Sequence, residues 1–164
     1  MPPCGDDQQE VVSLVNWVLQ DWAHRVDGFV IGTNEAGMIL GGEVRGADVA
    51  VWRSTDLPAR NTGGFRNVAP VLAVEVDGQD EGETVLLPKA KWYHRHGCAV
   101  VWLVFPRTRQ VHVVTARSRR RFKLGDTLPP YAELPGLVAR VESFSALTTR
   151  ASSDSRCTTR RSRT

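Results

Sequence analysis

Apolar residues near the start of the chain recur three and four positions apart, which is the repeat of one face of an α-helix. They are Val11, Val12, Leu14, Val15, Val18, Leu19, Trp22 and Val26. The spacing predicts an amphipathic helix over residues 10–25, ended by Asp27 and Gly28. Residues 1–9 carry no such repeat, and we expect them to be unstructured.

After this helix the apolar pattern becomes typical of strands. The segments GFVIGT and GMILGG are separated by Asn-Glu-Ala-Gly, and glycines stand at the joints, so residues 28–42 predict a hairpin. Residues 47–53 (ADVAVWR) predict the next strand. Residues 69–76 (APVLAVEV) are almost continuously apolar, which is typical of a central strand covered on both faces.

A second helix and two further strands complete the predicted fold. The helix runs to His96, with Gly97 as its C-cap. Residues 98–105 and 110–116 predict strands, and residues 134–144 predict a short closing helix. The order α-β-β-β-β-α-β-β indicates an α/β architecture, a small central mixed sheet flanked by helices.

Composition indicates one soluble domain. Hydrophobic residues make up 41% of the 164 residues and charged residues 24%, which is enough apolar material for a single core. No apolar run approaches the ~20 residues that span a bilayer, so we expect no membrane contact and a cytoplasmic location. The three cysteines are odd in number and widely spaced, which argues against a disulfide framework.

The positive charge of the chain lies in its last segment. Residues 148–164 hold five Arg against one Asp, or +4, whereas the whole chain carries +3, so the remainder sums to −1. Almost all residues of this segment are Ser, Thr or Arg, which predicts a disordered tail. The predicted domain therefore covers residues 10–147, and an anion-binding surface on it requires local clustering of basic side chains.

Several familiar catalytic and metal motifs do not fit. Neither pair of adjacent glycines belongs to a phosphate-binding loop. Cys98 opens a strongly apolar strand, where a reactive thiolate is disfavoured. His94 and His96 stand two positions apart, about 200° around a helix, and do not converge on a zinc ion with Cys98. Their place at the negative end of a helix dipole is the simpler interpretation.

Two acidic residues are more informative. Asp48 opens one predicted strand, and Glu75 lies within an apolar strand, where an unpaired carboxylate is costly. If the two strands pair, the carboxylates meet at the strand ends and form an oxygen site of the kind that Mg²⁺ uses. A solvent-exposed acid, or one paired with Arg, is the alternative.

Three blocks then carry a family resemblance. They are GGEVRGADVAVWR (41–53), PVLAVEV (70–76) and KAKWYHRHGCAVVWLVFP (89–106). In this order and spacing they resemble the putative restriction endonuclease family of uncharacterised bacterial proteins, a branch of the PD-(D/E)XK nuclease superfamily, over roughly residues 10–145. The resemblance implies a restriction endonuclease-like core and an endonuclease dependent on Mg²⁺ or Mn²⁺.

The resemblance also implies roles for individual residues. Asp48 and Glu75 match the two metal-binding acids, and the backbone carbonyl of Val76 would be a further metal ligand. Lys89 matches the catalytic lysine, which this family carries on the following helix four residues before a tyrosine, here Tyr93. Together with the metal, these residue types suit hydrolysis of phosphodiester bonds.

Pro88 precedes this lysine, and another start of the helix would bring Lys91 to the site instead. The family also usually has a hairpin with a further acid before the first helix, and we expect this chain to lack it. A catalytically degenerate protein of the same fold that acts as a nucleic-acid-binding or interaction module therefore stands as the alternative function. A hydrolase of small molecules on the same fold is a third reading.

The implied substrate is nucleic acid, with DNA favoured, and the need of related enzymes for two sites to cut both strands favours a homodimer. Basic residues after the last predicted strand form a candidate phosphate-binding cluster. They are Arg117, Arg119, Arg120, Arg121 and Lys123. A charged turn that faces solvent is the competing interpretation.

Overall fold

The computed structural model describes residues 5–58, 64–78 and 81–145, with only the backbone at positions 34 and 35. Its elements, in chain order, are α1 (Asp6–Val26), β1 (Phe29–Leu40), β2 (Glu43–Arg53), a 3-10 helix (Ser54–Asp56), β3 (Leu72–Val76), α2 (Gly82–Arg95), β4 (Val100–Phe105), β5 (Gln110–Thr115), β6 (Arg119–Lys123) and a 3-10 helix (Val141–Phe144). The predicted α/β architecture is confirmed.

The strands form one sheet in the order β1-β2-β3-β4-β5-β6. All neighbours are antiparallel except β3 and β4, which are parallel and are joined through α2. A parallel pair needs such a crossover, whereas antiparallel neighbours can be joined by short turns. Strands β3 and β4 lie at the centre, and every residue of both strands is buried.

Each face of the sheet packs against one helix. Helix α1 buries Val11, Val15, Leu19 and Trp22 in a core on one face. Helix α2 buries Leu86, Ala90, Trp92 and Tyr93 in a second core on the other face. Because successive strand residues point to opposite faces, β3 sends Val74 toward α1 and Ala73 toward α2. Glu75 follows Ala73 on the α2 face.

The predicted hairpin over residues 28–42 is wrong, because β1 is one continuous strand through this segment. The turn lies instead at Gly41 and Gly42, whose φ angles of 59° and 82° suit a tight two-residue hairpin loop. The Asn-Glu-Ala-Gly segment contains a β-bulge instead of a turn. Thr33 pairs with Val49, and the next paired residues are Ala36 and Ala47. Two residues of β1 therefore stand opposite one residue of β2, Asp48.

The chain ends also differ from the sequence prediction. Residues 6–9, expected to be unstructured, form the first turn of α1, where Asp6 and Asp7 interact favourably with the positive end of the helix dipole. The 3-10 helix at Val141–Phe144 is shorter than the predicted closing segment. The predicted disordered tail, residues 148–164, and residues 1–4 lie outside the described residues.

Strand β6 was not predicted, because four of its five residues are Arg or Lys. As an edge strand it needs only one apolar anchor, Phe122, which packs into the core on the α1 face. Charged side chains on an edge strand also discourage pairing with other chains. Across the described ranges, no helix combines the length and apolar character needed to cross a membrane.

Candidate active site

The end of β3 brings together the two acids singled out from the sequence. Val49 of β2 pairs with Val74 of β3, so the register continues to Asp48 opposite Glu75. Asp48 is partly exposed, and its Oδ2 accepts a 2.7 Å hydrogen bond from the backbone N–H of Val76. This side-chain contact extends the pairing of the two strands. The bulge in β1 lies on the other side of Asp48.

Glu75 is almost completely buried, with 3% of its surface exposed, and both carboxylate oxygens have partners from α2. Lys89 Nζ donates to Oε2 at 3.0 Å, and the Tyr93 hydroxyl lies 2.6 Å from Oε1. Residues four apart share one face of a helix, so the same turn of α2 presents both groups to Glu75. Lys91 lies on the exposed face, so Lys89 is the lysine at the site.

Pro88 does not disturb this arrangement. It lies inside α2 rather than in its first turn and cannot donate the helical hydrogen bond to the carbonyl of Thr84. Pro88 and Thr84 are both exposed, so the carbonyl of Thr84 can accept a hydrogen bond from water instead. The helix continues past Pro88 to Arg95, so Lys89 and Tyr93 keep helical geometry.

Burial makes the charge of Glu75 expensive. Desolvation is the largest influence and, together with the nearby Asp48 carboxylate, raises the pKa of Glu75 to about 7, although Lys89 and the Tyr93 hydroxyl act in the opposite direction. The Tyr93 hydroxyl also lies 3.2 Å from the carbonyl oxygen of Gly46. A protonated Glu75 can therefore donate to Tyr93 while Tyr93 donates to Gly46, and an ionised Glu75 can accept from Tyr93 instead.

Lys89 and Tyr93 are perturbed in turn by this carboxylate. Partial burial acts to lower the pKa of Lys89, but Glu75, followed by Glu81 and Asp48, raises it overall, so the ammonium form is favoured. Glu81 Oε1 lies 4.0 Å from Lys89 Nζ. Burial, followed by the charge of Glu75, raises the pKa of Tyr93, which keeps its hydroxyl protonated.

The third predicted metal ligand, the carbonyl oxygen of Val76, faces a residue that the sequence did not single out. Gln8 Nε2, from the first turn of α1, donates to this oxygen at 3.0 Å. Gln8 fell in the segment expected to be unstructured, and nothing in its local sequence indicates a contact 68 positions away. Only the packing of α1 on the sheet brings it to the site.

The donors at this site suit a hard divalent cation. Asp48, Glu75 and the Val76 carbonyl offer only oxygen atoms, which Mg²⁺ and Mn²⁺ prefer. A buried carboxylate whose charged form is opposed by a second carboxylate is stabilised by a cation between them. Within the described residues, no three or more His, Cys, Asp or Glu side chains cluster where they could hold a metal ion, so this candidate site relies on two carboxylates and a backbone carbonyl.

The His94, His96 and Cys98 group is arranged differently. His94 Nδ1 lies 2.9 Å from the carbonyl of Cys98, and His96 Nδ1 lies 2.8 Å from the carbonyl of Trp92. The two rings are thus held by separate backbone groups. Cys98 is buried, and burial raises the pKa of its thiol to about 12, which disfavours the reactive thiolate.

The candidate phosphate-binding cluster is divided by strand alternation. Arg119 and Arg121 point to the α2 face and bond Glu83 of α2 at 3.0 and 2.9 Å. Arg120 points to the other face, over the ring of Phe122. The rest of the cluster, Arg117 before β6 and Lys123 at its end, is exposed. The five residues therefore do not form a single patch.

A row of paired residues links this cluster to the acids. Glu75 pairs with Leu103, Leu103 with His112, and His112 with Arg121. Three strand spacings of about 4.8 Å place Arg121 about 14 Å from Glu75 on the same face of the sheet. His112 is buried between them, and its Nδ1 lies 3.7 Å from Glu83, the acid that also binds Arg119 and Arg121.

Comparison with known proteins identifies the family and the fold of the chain. A family model described as Putative restriction endonuclease matches residues 1–142, whereas no curated protein sequence matches the chain. A crystal structure described as a putative nuclease belonging to DUF820 from Anabaena variabilis is similar, with a TM-score of 0.77 and 16% identity over 87% of this chain and 82% of that chain. This likeness shows a shared fold. The family match spans most of the sequence, so the chain belongs to the putative restriction endonuclease family.

Proposed function

We propose that the protein is a metal-dependent endonuclease of the PD-(D/E)XK type that hydrolyses phosphodiester bonds in nucleic acid, with DNA as the favoured substrate. The observation that carries the proposal is the position of one buried carboxylate, Glu75. It accepts a hydrogen bond from Lys89 and lies opposite Asp48 on the neighbouring strand. Membership of a nuclease family and a nuclease-like fold support the same chemistry.

Asp48, Glu75 and the Val76 carbonyl would hold Mg²⁺ or Mn²⁺. When bound, such a cation supplies charge neutralisation for the phosphate and lowers the pKa of an attacking water. Tyr93 holds one Glu75 oxygen and thereby fixes the direction in which the carboxylate faces. Asp48, Glu75 and Val76 would thus hold the cation, and Tyr93 would orient its main ligand.

Lys89 would act on the substrate. Its ammonium group has three N–H donors, one of which is used on Glu75. Its side chain is 34% exposed, so the remaining donors reach solvent next to the two acids. There they can hold the attacking water or a phosphate oxygen and stabilise the negative charge that develops during hydrolysis.

Arg119 and Arg121 would contact the nucleic acid backbone away from the cleavage point. Both share the α2 face with Glu75, and Arg121 lies about 14 Å from it across three strand spacings. Both now bind Glu83, so a phosphate would replace a carboxylate as their partner. Replacing both with Ala should weaken DNA binding and reduce its salt dependence by about two phosphate contacts.

A cleavage assay with linear DNA and RNA in Mg²⁺ or Mn²⁺ tests the proposal. We expect the wild type to cut, Asp48→Asn and Glu75→Gln to lose activity, and Lys89→Met to slow cutting by about 10²–10⁴-fold. Lys91→Met is the matched control, because it removes an exposed lysine from the same helix and should leave the rate unchanged. Calorimetric titration with metal alone should show binding to the wild type and none to Glu75→Ala.

The assay also separates the alternative function. Binding to DNA that weakens with salt, without cleavage and without a requirement for metal, would indicate a degenerate nucleic-acid-binding module. Cleavage that survives both acid substitutions would overturn the proposed site. Light scattering of the active protein tests the homodimer that double-strand cleavage favours.

A further inference from the structure

The Val76–Asp77 peptide group is held at both ends, beside the acids. Its carbonyl oxygen accepts the 3.0 Å hydrogen bond from Gln8 Nε2, and its N–H, on Asp77, donates to the carbonyl of Val104 at 2.8 Å. On the other side of Val76, the backbone N–H is bound by Asp48. These three contacts fix the direction in which the Val76 carbonyl points.

The orientation of the Gln8 amide follows from hydrogen-bond chemistry. A carbonyl oxygen accepts, so the NH₂ group of Gln8 must face Val76 and its oxygen, Oε1, must face the other way. That oxygen borders the space above Gly78: a Cβ atom at Gly78 would lie 3.5 Å from Gln8 Oε1 and 3.6 Å from Glu81 Oε2. The Glu81 carboxylate is in turn close to Lys89.

We infer that Gln8 is a positioning residue of the metal site, which aims the Val76 carbonyl at the cation and places a neutral oxygen at the edge of the site beside Glu81. The inference rests on the proposed metal site and deepens it. A carbonyl oxygen has two lone pairs, so it can accept the Gln8 N–H on one side and coordinate a cation on the other. Removing the amide frees the peptide group to turn.

The neutral charge of Gln8 matters as well. In Gln8→Glu, a carboxylate oxygen would replace the NH₂ group that now lies 3.0 Å from the Val76 oxygen, and two acceptors would face each other. The new charge would also add to those of Asp48, Glu75 and Glu81. Without metal this crowding should destabilise the protein, whereas a divalent cation should relieve it, because affinity at oxygen sites rises with the charge of the ligands.

The test measures the metal alone, without substrate. Mn²⁺ affinity is determined by calorimetry and the melting temperature is measured with EDTA or with saturating Mn²⁺, for the wild type, Gln8→Ala and Gln8→Glu. Gln20→Ala and Gln20→Glu are matched controls, because Gln20 is exposed on the same helix about 18 Å away. Removing a group that orients a metal ligand typically weakens affinity 10–100-fold, and we expect Gln8→Ala to do so.

Gln8→Glu should melt below the wild type in EDTA and gain more from Mn²⁺ than the wild type does, while the Gln20 variants match the wild type in affinity. Equal Mn²⁺ affinity of the wild type and Gln8→Ala, or equal metal-induced stabilisation of the wild type and Gln8→Glu, would overturn the inference alone. Absence of Mn²⁺ binding to the wild type would overturn the proposed metal site and this inference with it. Should Gln8→Ala not fold, the Gln8→Glu comparison decides.

Discussion

Glu75 is expected to make the metal-free protein less stable as the pH rises, and Glu75→Gln should remove this effect. In the folded protein the pKa of Glu75 is raised from an ordinary 4.5 to about 7, chiefly because the carboxyl is buried. An acid with a raised folded-state pKa binds its proton more tightly in the folded than in the unfolded state. Its contribution is therefore most favourable below pH 4.5 and is lost as the pH rises through 7.

The size of the effect follows from the shift. At 1.36 kcal/mol per pH unit, a rise from 4.5 to about 7 corresponds to a loss of about 3 kcal/mol in unfolding free energy between pH 4.5 and 8. Because Glu75 is only 3% exposed, solvent screens this cost little. Gln keeps the shape of the side chain and cannot ionise. The difference in stability between Glu75→Gln and the wild type should therefore move in favour of the variant by about 3 kcal/mol across this range.

Urea unfolding in EDTA at pH 5, 6, 7 and 8 measures this difference directly. Glu10→Gln, an exposed carboxyl on α1, is the control and should follow the wild type at every pH. Comparing variant with wild type at each pH cancels the titration of other groups, including His112, whose pKa is lowered by burial. If the Glu75→Gln and wild-type curves run parallel from pH 5 to 8, the burial argument for this carboxyl is wrong.

Three further changes test the site and the sheet around it. Tyr93→Phe removes the hydroxyl that lowers the pKa of Glu75, so the stability of the variant should decline at higher pH than that of the wild type in the same urea series. The variant should also be about 1–3 kcal/mol less stable, because Glu75 loses a buried hydrogen-bond partner. Gly32→Ala would place a Cβ atom 2.9 Å from the Trp52 ring and should cost about 1–3 kcal/mol by urea unfolding. Gly78→Ser, where a Cβ meets its neighbours at ordinary distances of 3.5 Å or more, should stay within about 0.5 kcal/mol of the wild type.

The parts of the site that lie on regular strands could be predicted from the sequence. Asp48 and Glu75 lie in two apolar segments that the sequence predicts as strands of one sheet. An acid in a buried strand is costly unless it has a partner, which indicates a specific role for both residues. Lys89 and Tyr93 follow from the four-residue repeat of a helix, once the family resemblance directs attention to them. In each case a local periodicity carries the information.

The parts that could not be predicted depend on packing between distant segments. Gln8 stands in a polar first turn with no apolar repeat, and its role arises only where α1 meets the end of β3. Residues 34–37 predict a turn but form a bulge in β1, because Asn and Gly favour both a turn and an irregular strand position. Strand β6 lacks the alternation of a buried strand, since only Phe122 anchors it.

Four different segments hold the last two residues of β3. Strand β2 supplies Asp48, α2 supplies Lys89 and Tyr93, α1 supplies Gln8, and the neighbouring β4 accepts the N–H that follows Val76. For stability alone, an apolar residue often serves as well as a buried, paired acid or better. The proposed metal site requires this arrangement, because the specific partners of Glu75 and Val76 fix the positions of oxygen atoms that the core itself does not need.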